Sequence, residues 1–189
     1  MKLMLTAGAA AAWLGAVPAL AVLAVLGGPG TAAGTPIAAT GSAGSAVAAS
    51  RSLVGTPTGW YRMCDRLACR AYGHATSGYP SALAHWQMML ATGHARPGDR
   101  CPPPGTFAFW STPSGQGHIA LVSGSDAYCD PTHITLVSND VLDDENATIG
   151  GVYEVSLTRI ETGFVSRANY LGWSDPVCAG ALLDTRATA

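Results

Sequence analysis

Charge is missing from the first quarter of this chain of 189 residues: between Lys2 and Arg51 there is no ionisable acid or base, while all nine arginines and all twelve acids lie at position 51 or beyond. Lysine is nearly absent as well, since Lys2 is the single one. From residue 51 onwards, nine arginines against twelve acids leave a formal balance of minus three, which removes the basic face a nucleic-acid partner requires. It also removes any reason for strong attraction to anionic lipid. Paired metal ligands are lacking too. Cys64, Cys69 and His74 fall at five-residue intervals, whereas structural zinc sites space their ligand pairs about two to four residues apart and need a second pair. No metal or cofactor is expected on these grounds.

The uncharged part divides in two. Residues 3–26 are almost wholly apolar, and at about 1.5 Å per residue a helix of that length spans a bilayer core of roughly 30 Å. With Lys2 as its positive flank, this segment reads as a signal peptide or an uncleaved membrane anchor, an apolar N-terminal helix that puts the rest of the chain outside the cytoplasm. Residues 27–56 are Gly, Ala, Ser, Thr and Pro with few large side chains, a composition that reads as a flexible linker. A folded domain is then expected over 57–178, with a tail at 179–189.

That domain holds Cys64, Cys69, Cys101, Cys129 and Cys178. In an oxidising compartment an even set pairs and five leaves one over. Four cysteines allow three pairings, and the sequence does not choose among them.

The patterning turns from helical to extended along the domain. Trp60, Cys64, Leu67 and Ala71 recur at helical spacing, predicting a helix over 59–72 capped by Thr58 and stopped by Gly73. A second helix is predicted from Pro80 and Ser81 to before Gly93, burying Leu83, Trp86, Gln87 and Leu90. Five runs with strand character follow, at 105–111, 117–123, 132–140, 151–156 and 168–173, separated by Gly, Pro, Ser and Asp clusters. Helices first and hairpins afterwards predict an α+β domain with helices packed on an antiparallel sheet.

Cys64 near a helix start, His118 opening a strand after the flexible "SGQG", and Asn139 with Asp140 ending the next strand make a constellation that can carry out nucleophilic catalysis. A thiolate attacks a carbonyl carbon, an imidazole moves the proton, and a third polar group orients the ring. A thiol with a pKa of about 8.5 is only a few per cent ionised at neutral pH, so a helix start and a cationic imidazole are expected to stabilise the thiolate. Strand alternation sends Asn139 and Asp140 to opposite faces. Asp140 shares parity with Ile134 and Leu136, and Asn139 with Thr135 and Val137. His133 is the alternative base, and His85 and His94 are expected in helix-capping roles.

The order of Cys64 on an early helix, "GTFAFW" before "GHIALVSG", and the polar end of "ITLVSND" resembles the CHAP domains and related NlpC-type peptidases, papain-like cysteine amidases and peptidases of bacterial cell walls. The likeness is nearest to exported actinobacterial CHAP-like proteins, through Trp60, Cys64, Pro80 to Ala82, His118 to Leu121 and Tyr170 to Ser174, and it covers roughly 57–178. Met63 before Cys64 and the pair Asp65 and Arg66 after it depart from the NlpC pattern of Asp before the cysteine and Ser-Gly after it. The resemblance implies a papain-like fold, Cys64 as nucleophile, His118 as base, Asn139 or Asp140 as orienting group, and the peptidoglycan stem peptide as substrate. A module of the same fold that binds the envelope or a partner without catalysis is the alternative, marked by a Cys64 that is bridged or distant from His118.

Overall fold

The computed structural model describes residues 42–141, 150–164 and 169–184, all within the second of two contact units, 38–189. The apolar run 3–26, the start of the linker and residues 185–189 lie outside the described residues. Among those described, no helix is long and apolar enough to cross a membrane.

Three helices precede the sheet: α1 (Ala43–Arg51), α2 (Cys64–Ala71) and α3 (Ala82–Ala91). The strands are β1 (Ala95–Pro97), β2 (Phe107–Ser111), β3 (His118–Gly124), β4 (Thr135–Asn139), β5 (Val152–Ser156) and β6 (Asn169–Ser174), with a short helical turn α4 (Leu157–Arg159) running into a π-helical turn (Ile160–Phe164) before β6. A separate ribbon pairs β7 (Val177–Cys178) with β8 (Ala181–Leu182). The six-stranded sheet is antiparallel throughout, in the order β1-β6-β2-β3-β4-β5. The domain is therefore α+β, as the order of helical and extended patterns predicts.

Alternation along the strands builds a core on each face. Phe107, Phe109, Ile119 and Leu121 point to the face covered by Ala46 and Val47 of α1, Ala68 of α2 and Trp86 of α3. Ala108, Trp110, Ala120, Val122 and Leu136 point to the other face, where Leu157 and Ile160 close over them. Two disulfides, Cys69–Cys178 and Cys101–Cys129, resolve the three possible pairings and leave Cys64 as the free thiol. Two such bonds are what a compartment outside the cytoplasm permits.

Several expectations are corrected. The helix predicted from Gly59 starts only at Cys64, with Met63 rather than Thr58 at its N-cap. Gly59 (φ 96°) and Arg62 (φ 58°) occupy left-handed conformations that no α-helix accommodates, and Trp60 gives its N–H to Gly150 and its carbonyl to Asn139. The linker assigned to 27–56 ends earlier than its composition implies. Ser42 caps α1, whose Ala43, Ala46, Val47 and Ser50 are buried, because small side chains let a helix lie close against its neighbours. Gly105 is one such neighbour, packed against Ala43. Gly55 and Thr56 then exchange backbone hydrogen bonds with Val152 at the sheet edge. The domain also runs past 178, through β8 to the buried Leu183. On α3 the buried face is Ala82, His85, Trp86 and Met89, with Gln87 and Leu90 exposed, so the face is turned by about one residue from the predicted one. The cause is His85, a helix-interior side chain drawn inward by a carboxylate rather than a cap.

Candidate functional site

The segment before α2 determines where Cys64 sits. Met63 N–H closes a turn on the Trp60 carbonyl, and Leu67 N–H makes the first bond of the helix to the Met63 carbonyl. Cys64, Asp65 and Arg66 therefore present first-turn amides that have no acceptor within the helix. Cys64 is half-buried against the core beneath α2. Burial pushes its thiol up to about 12, and the nearby carboxylates Asp65 and Asp140 act in the same direction. The backbone amides of Ile119 and Asp65 oppose this and are outweighed. The thiol is consequently neutral at pH 7, which corrects the expectation of a resting thiolate: the helix start is present, but the cost of desolvating the anion exceeds what it returns.

His118 opens β3. Its ring alternates onto the Trp110 face of the sheet, 6.0 Å from that indole between centroids, and is 3% exposed. Nε2 lies 2.7 Å from Ser138 Oγ in a buried hydrogen bond. Burial draws the imidazole down to about 3, so it too is neutral at pH 7. Because the folded state disfavours the cation, the stability linked to this group is complete above the ordinary pKa of 6.5 and is lost as the pH falls towards 3. His118→Gln is expected to flatten the fall in stability between pH 6.5 and 4 by a few kcal/mol at most, on about 1.4 kcal/mol per pH unit. Thermal unfolding of the two proteins across that range measures it.

The approach to His118 is set by Gly117. Its φ of 72° is left-handed, and an added Cβ would lie 2.7 Å from the Leu83 backbone nitrogen at the start of α3. Leu83 N–H also donates to the Gln116 carbonyl, which ties the 112–117 loop to that helix. Gly117→Ala is expected to push the loop off α3 and cost roughly 1–3 kcal/mol, seen as a lowered denaturation midpoint, with displacement of the His118 ring seen by NMR.

Asn139 and Asp140 occupy the end of β4 and hold the segment that precedes Cys64. Asn139 is fully buried and donates through Nδ2 to the Trp60 carbonyl and to Asp140 Oδ2 at 2.7 Å. Asp140, itself left-handed at φ 66°, accepts the Arg62 N–H at 3.0 Å through the same oxygen. Together they clamp the Trp60 to Arg62 segment that leads into Cys64. The side chain on His118 Nε2 is Ser138. It faces the same side as Leu136 and Asp140, and with Leu121 opposite Val137 it lies diagonally across from His118. The parity that singles out Asp140 points equally to Ser138, one strand repeat closer.

Cys64, His118 and Asp140 border one cleft of about 860 Å³ at this end of the sheet, walled by the 76–82 segment and the 112–117 loop. Asp65 borders it as well, and is held from behind by Ser77 Oγ at 2.8 Å and by Nδ1 of the fully buried His85 at 2.7 Å. Tyr79 stacks on the His85 ring with centroids 4.1 Å apart. This support was not legible in the sequence, since a histidine within a helix carries no signal of which carboxylate it meets. His94 bonds Asp175 at 3.2 Å, and His133 stands exposed beside Asp126 and Asp130 on the 125–133 connection, outside the cleft. Cys69 is committed to its disulfide, so the Cys64, Cys69 and His74 spacing makes no ligand set.

Comparison with models of protein families, with curated proteins and with solved structures found no match.

Proposed function

We propose that the chain is an exported cysteine hydrolase of papain-like type that cleaves amide bonds of peptidoglycan, within the stem peptide or at its junction with the sugar. The observation that carries the reading is the fate of the cysteines. Two disulfides take four of them, and the fifth, Cys64, stands at the first residue of a helix bordering the same cleft as His118. The substrate class rests on the resemblance to CHAP-like and NlpC-type enzymes.

In this account Cys64 Sγ bonds to the carbonyl carbon while its proton passes to His118 Nδ1, the nitrogen opposite the one Ser138 holds. The first-turn amides of α2 face the carbonyl oxygen as negative charge builds on it. Collapse breaks the C–N bond, the imidazolium returns the proton to the leaving amine, and water then hydrolyses the thioester with the same ring as base. Moving one proton from sulfur to the ring creates both charges together, and their attraction offsets part of the burial cost each carries alone.

A second reading, a binding module without catalysis, draws on one observation: burial favours the neutral forms of both Cys64 and His118. Digestion of purified peptidoglycan separates the two. The hydrolase releases new amino groups, with new reducing ends absent because no glycosidic bond is cut. A binding module sediments with the polymer and releases neither.

A further inference from the structure

We propose that His85 is a positioning residue: by holding the Asp65 carboxylate on the α3 side, it keeps that charge off Cys64 Sγ and off the first-turn amides of α2. The inference rests on the hydrolase reading, in which those amides face the developing oxyanion, and adds what leaves them open.

Asp65 is the second residue of α2 and the acid of its first turn, while Met63 at the N-cap makes no side-chain hydrogen bond to the helix. An acidic side chain so placed is drawn to the positive helix end, where N–H groups await an acceptor. Left to itself, it would occupy the position that a carbonyl oxygen needs. The structure sends it elsewhere: Oδ1 lies 2.7 Å from His85 Nδ1, and Oδ2 accepts from Ser77 Oγ at 2.8 Å. The need shows in the charge at the thiol. Even as held, the Asp65 carboxylate acts against the Cys64 thiolate, while the Asp65 backbone N–H favours it. Side chain and main chain of one residue thus pull in opposite directions, and only the side chain can be drawn away.

The surroundings of His85 fix its direction. The ring is fully buried within α3, stacked on Tyr79 with centroids 4.1 Å apart, and in T-shaped contact with Phe107 at 6.0 Å and Phe109 at 5.4 Å. Ser77 Oγ accepts the Tyr79 N–H at 3.2 Å, so one short segment orients both groups that hold Asp65. On the far side of the ring, Nε2 is buried with no hydrogen-bond partner among the described residues. A position that served packing alone would be filled better by leucine, because an unmatched polar atom in an apolar setting is costly. The histidine is accounted for by the bond it makes to Asp65.

The test follows the rate at which iodoacetamide alkylates Cys64 at neutral pH, on the full chain without reductant, where Cys64 is the free thiol. His85→Phe keeps a ring in the aromatic setting and removes the N–H that holds Asp65. The freed carboxylate is expected to slow alkylation about tenfold, the effect of one pKa unit at the thiol. Release of amino groups from peptidoglycan should slow by at least as much. Adding Asp65→Asn should return both rates to the parent level or above, a recovery that a packing role for His85 would not give. His85→Asn, which can place an N–H where Nδ1 stands, should stay near the parent. If His85→Phe unfolds, Ser77→Ala frees the other oxygen and is read in the same way, with and without Asp65→Asn. A folded His85→Phe that alkylates at the parent rate, or a slowing that Asp65→Asn does not relieve, overturns the proposal. The expected alkylation pattern in a chain that digests no peptidoglycan keeps the positioning role at the thiol and removes the hydrolase reading instead. Digestion by the parent, with alkylation indifferent to His85, does the reverse.

Discussion

Cys64→Ser is expected to lower peptidoglycan hydrolysis by about four orders of magnitude or more, the scale seen when the nucleophile of a catalytic unit is lost. Serine keeps the shape at the first position of α2, so the fold stays and a decrease in rate reports chemistry. The hydroxyl is a far weaker acid than the thiol, and the site that already holds the sulfur neutral does nothing to ionise an oxygen. Release of amino groups from purified cell walls, with thermal unfolding as the control for folding, reads both quantities. His118→Ala should reduce the rate comparably, since in the proposed mechanism attack and leaving-group protonation pass through one ring. A variant that unfolds near the parent temperature and digests at the parent rate would place the chemistry elsewhere.

The second large effect concerns stability. Cys69 on α2 and Cys178 on β7 are 109 residues apart in sequence, and both are fully buried in the core beneath the helices. A bridge over such a loop restricts the unfolded chain by about 4 to 5 kcal/mol on chain-entropy grounds. Replacing both cysteines with serine is therefore expected to lower the unfolding temperature by roughly 10 to 20 °C, at about 2–4 °C per kcal/mol for a chain of this size. Leaving two hydroxyls in an apolar core adds to the loss. Because the bond anchors the helix that begins with Cys64, the cleft should loosen before the sheet does. Hydrogen exchange on α2 amides, measured with and without the bridge, detects that order. An unchanged midpoint would mean that the pairing contributes little to the folded state.

Much of the architecture was legible because strands announce themselves locally. The five predicted runs, bounded by Gly, Pro, Ser and Asp, match β2 to β6 within a few residues, since alternation and turn chemistry are short-range properties. What composition concealed was burial without bulk. The alanine-rich stretch 43–51 has the residues of a linker, yet it forms a buried helix because the surface that receives it has glycine where a side chain would obstruct it. β1 went unseen for a related reason: three residues containing Pro97 read as a turn, and an outermost strand tolerates a proline that an inner one does not.

At the site, the residues singled out by the sequence lie together, and their contacts are of a kind that local pattern does not carry. Cys64 and His118 border one cleft, as their positions at the ends of adjacent elements imply. The partner of the imidazole was sought among the charged and amide side chains ending β4, whereas a serine two residues before Asp140 holds Nε2. Asn139 and Asp140 hold the backbone ahead of Cys64, a role that depends on the left-handed turn at Arg62, which no local pattern predicts. The thiol and the ring were expected as an ion pair, and their burial favours the neutral form of both. Long-range desolvation has no signature in the spacing of residues.

The most direct measurement is a search for the covalent intermediate. The full chain is mixed with a peptidoglycan fragment, quenched in acid within its turnover time, and digested for mass spectrometry. The account predicts the mass of an acyl group on Cys64, joined as a thioester that hydroxylamine removes, and no such adduct in His118→Ala. Turnover with Cys64 unmodified throughout, or an acyl group found on another side chain, would contradict it.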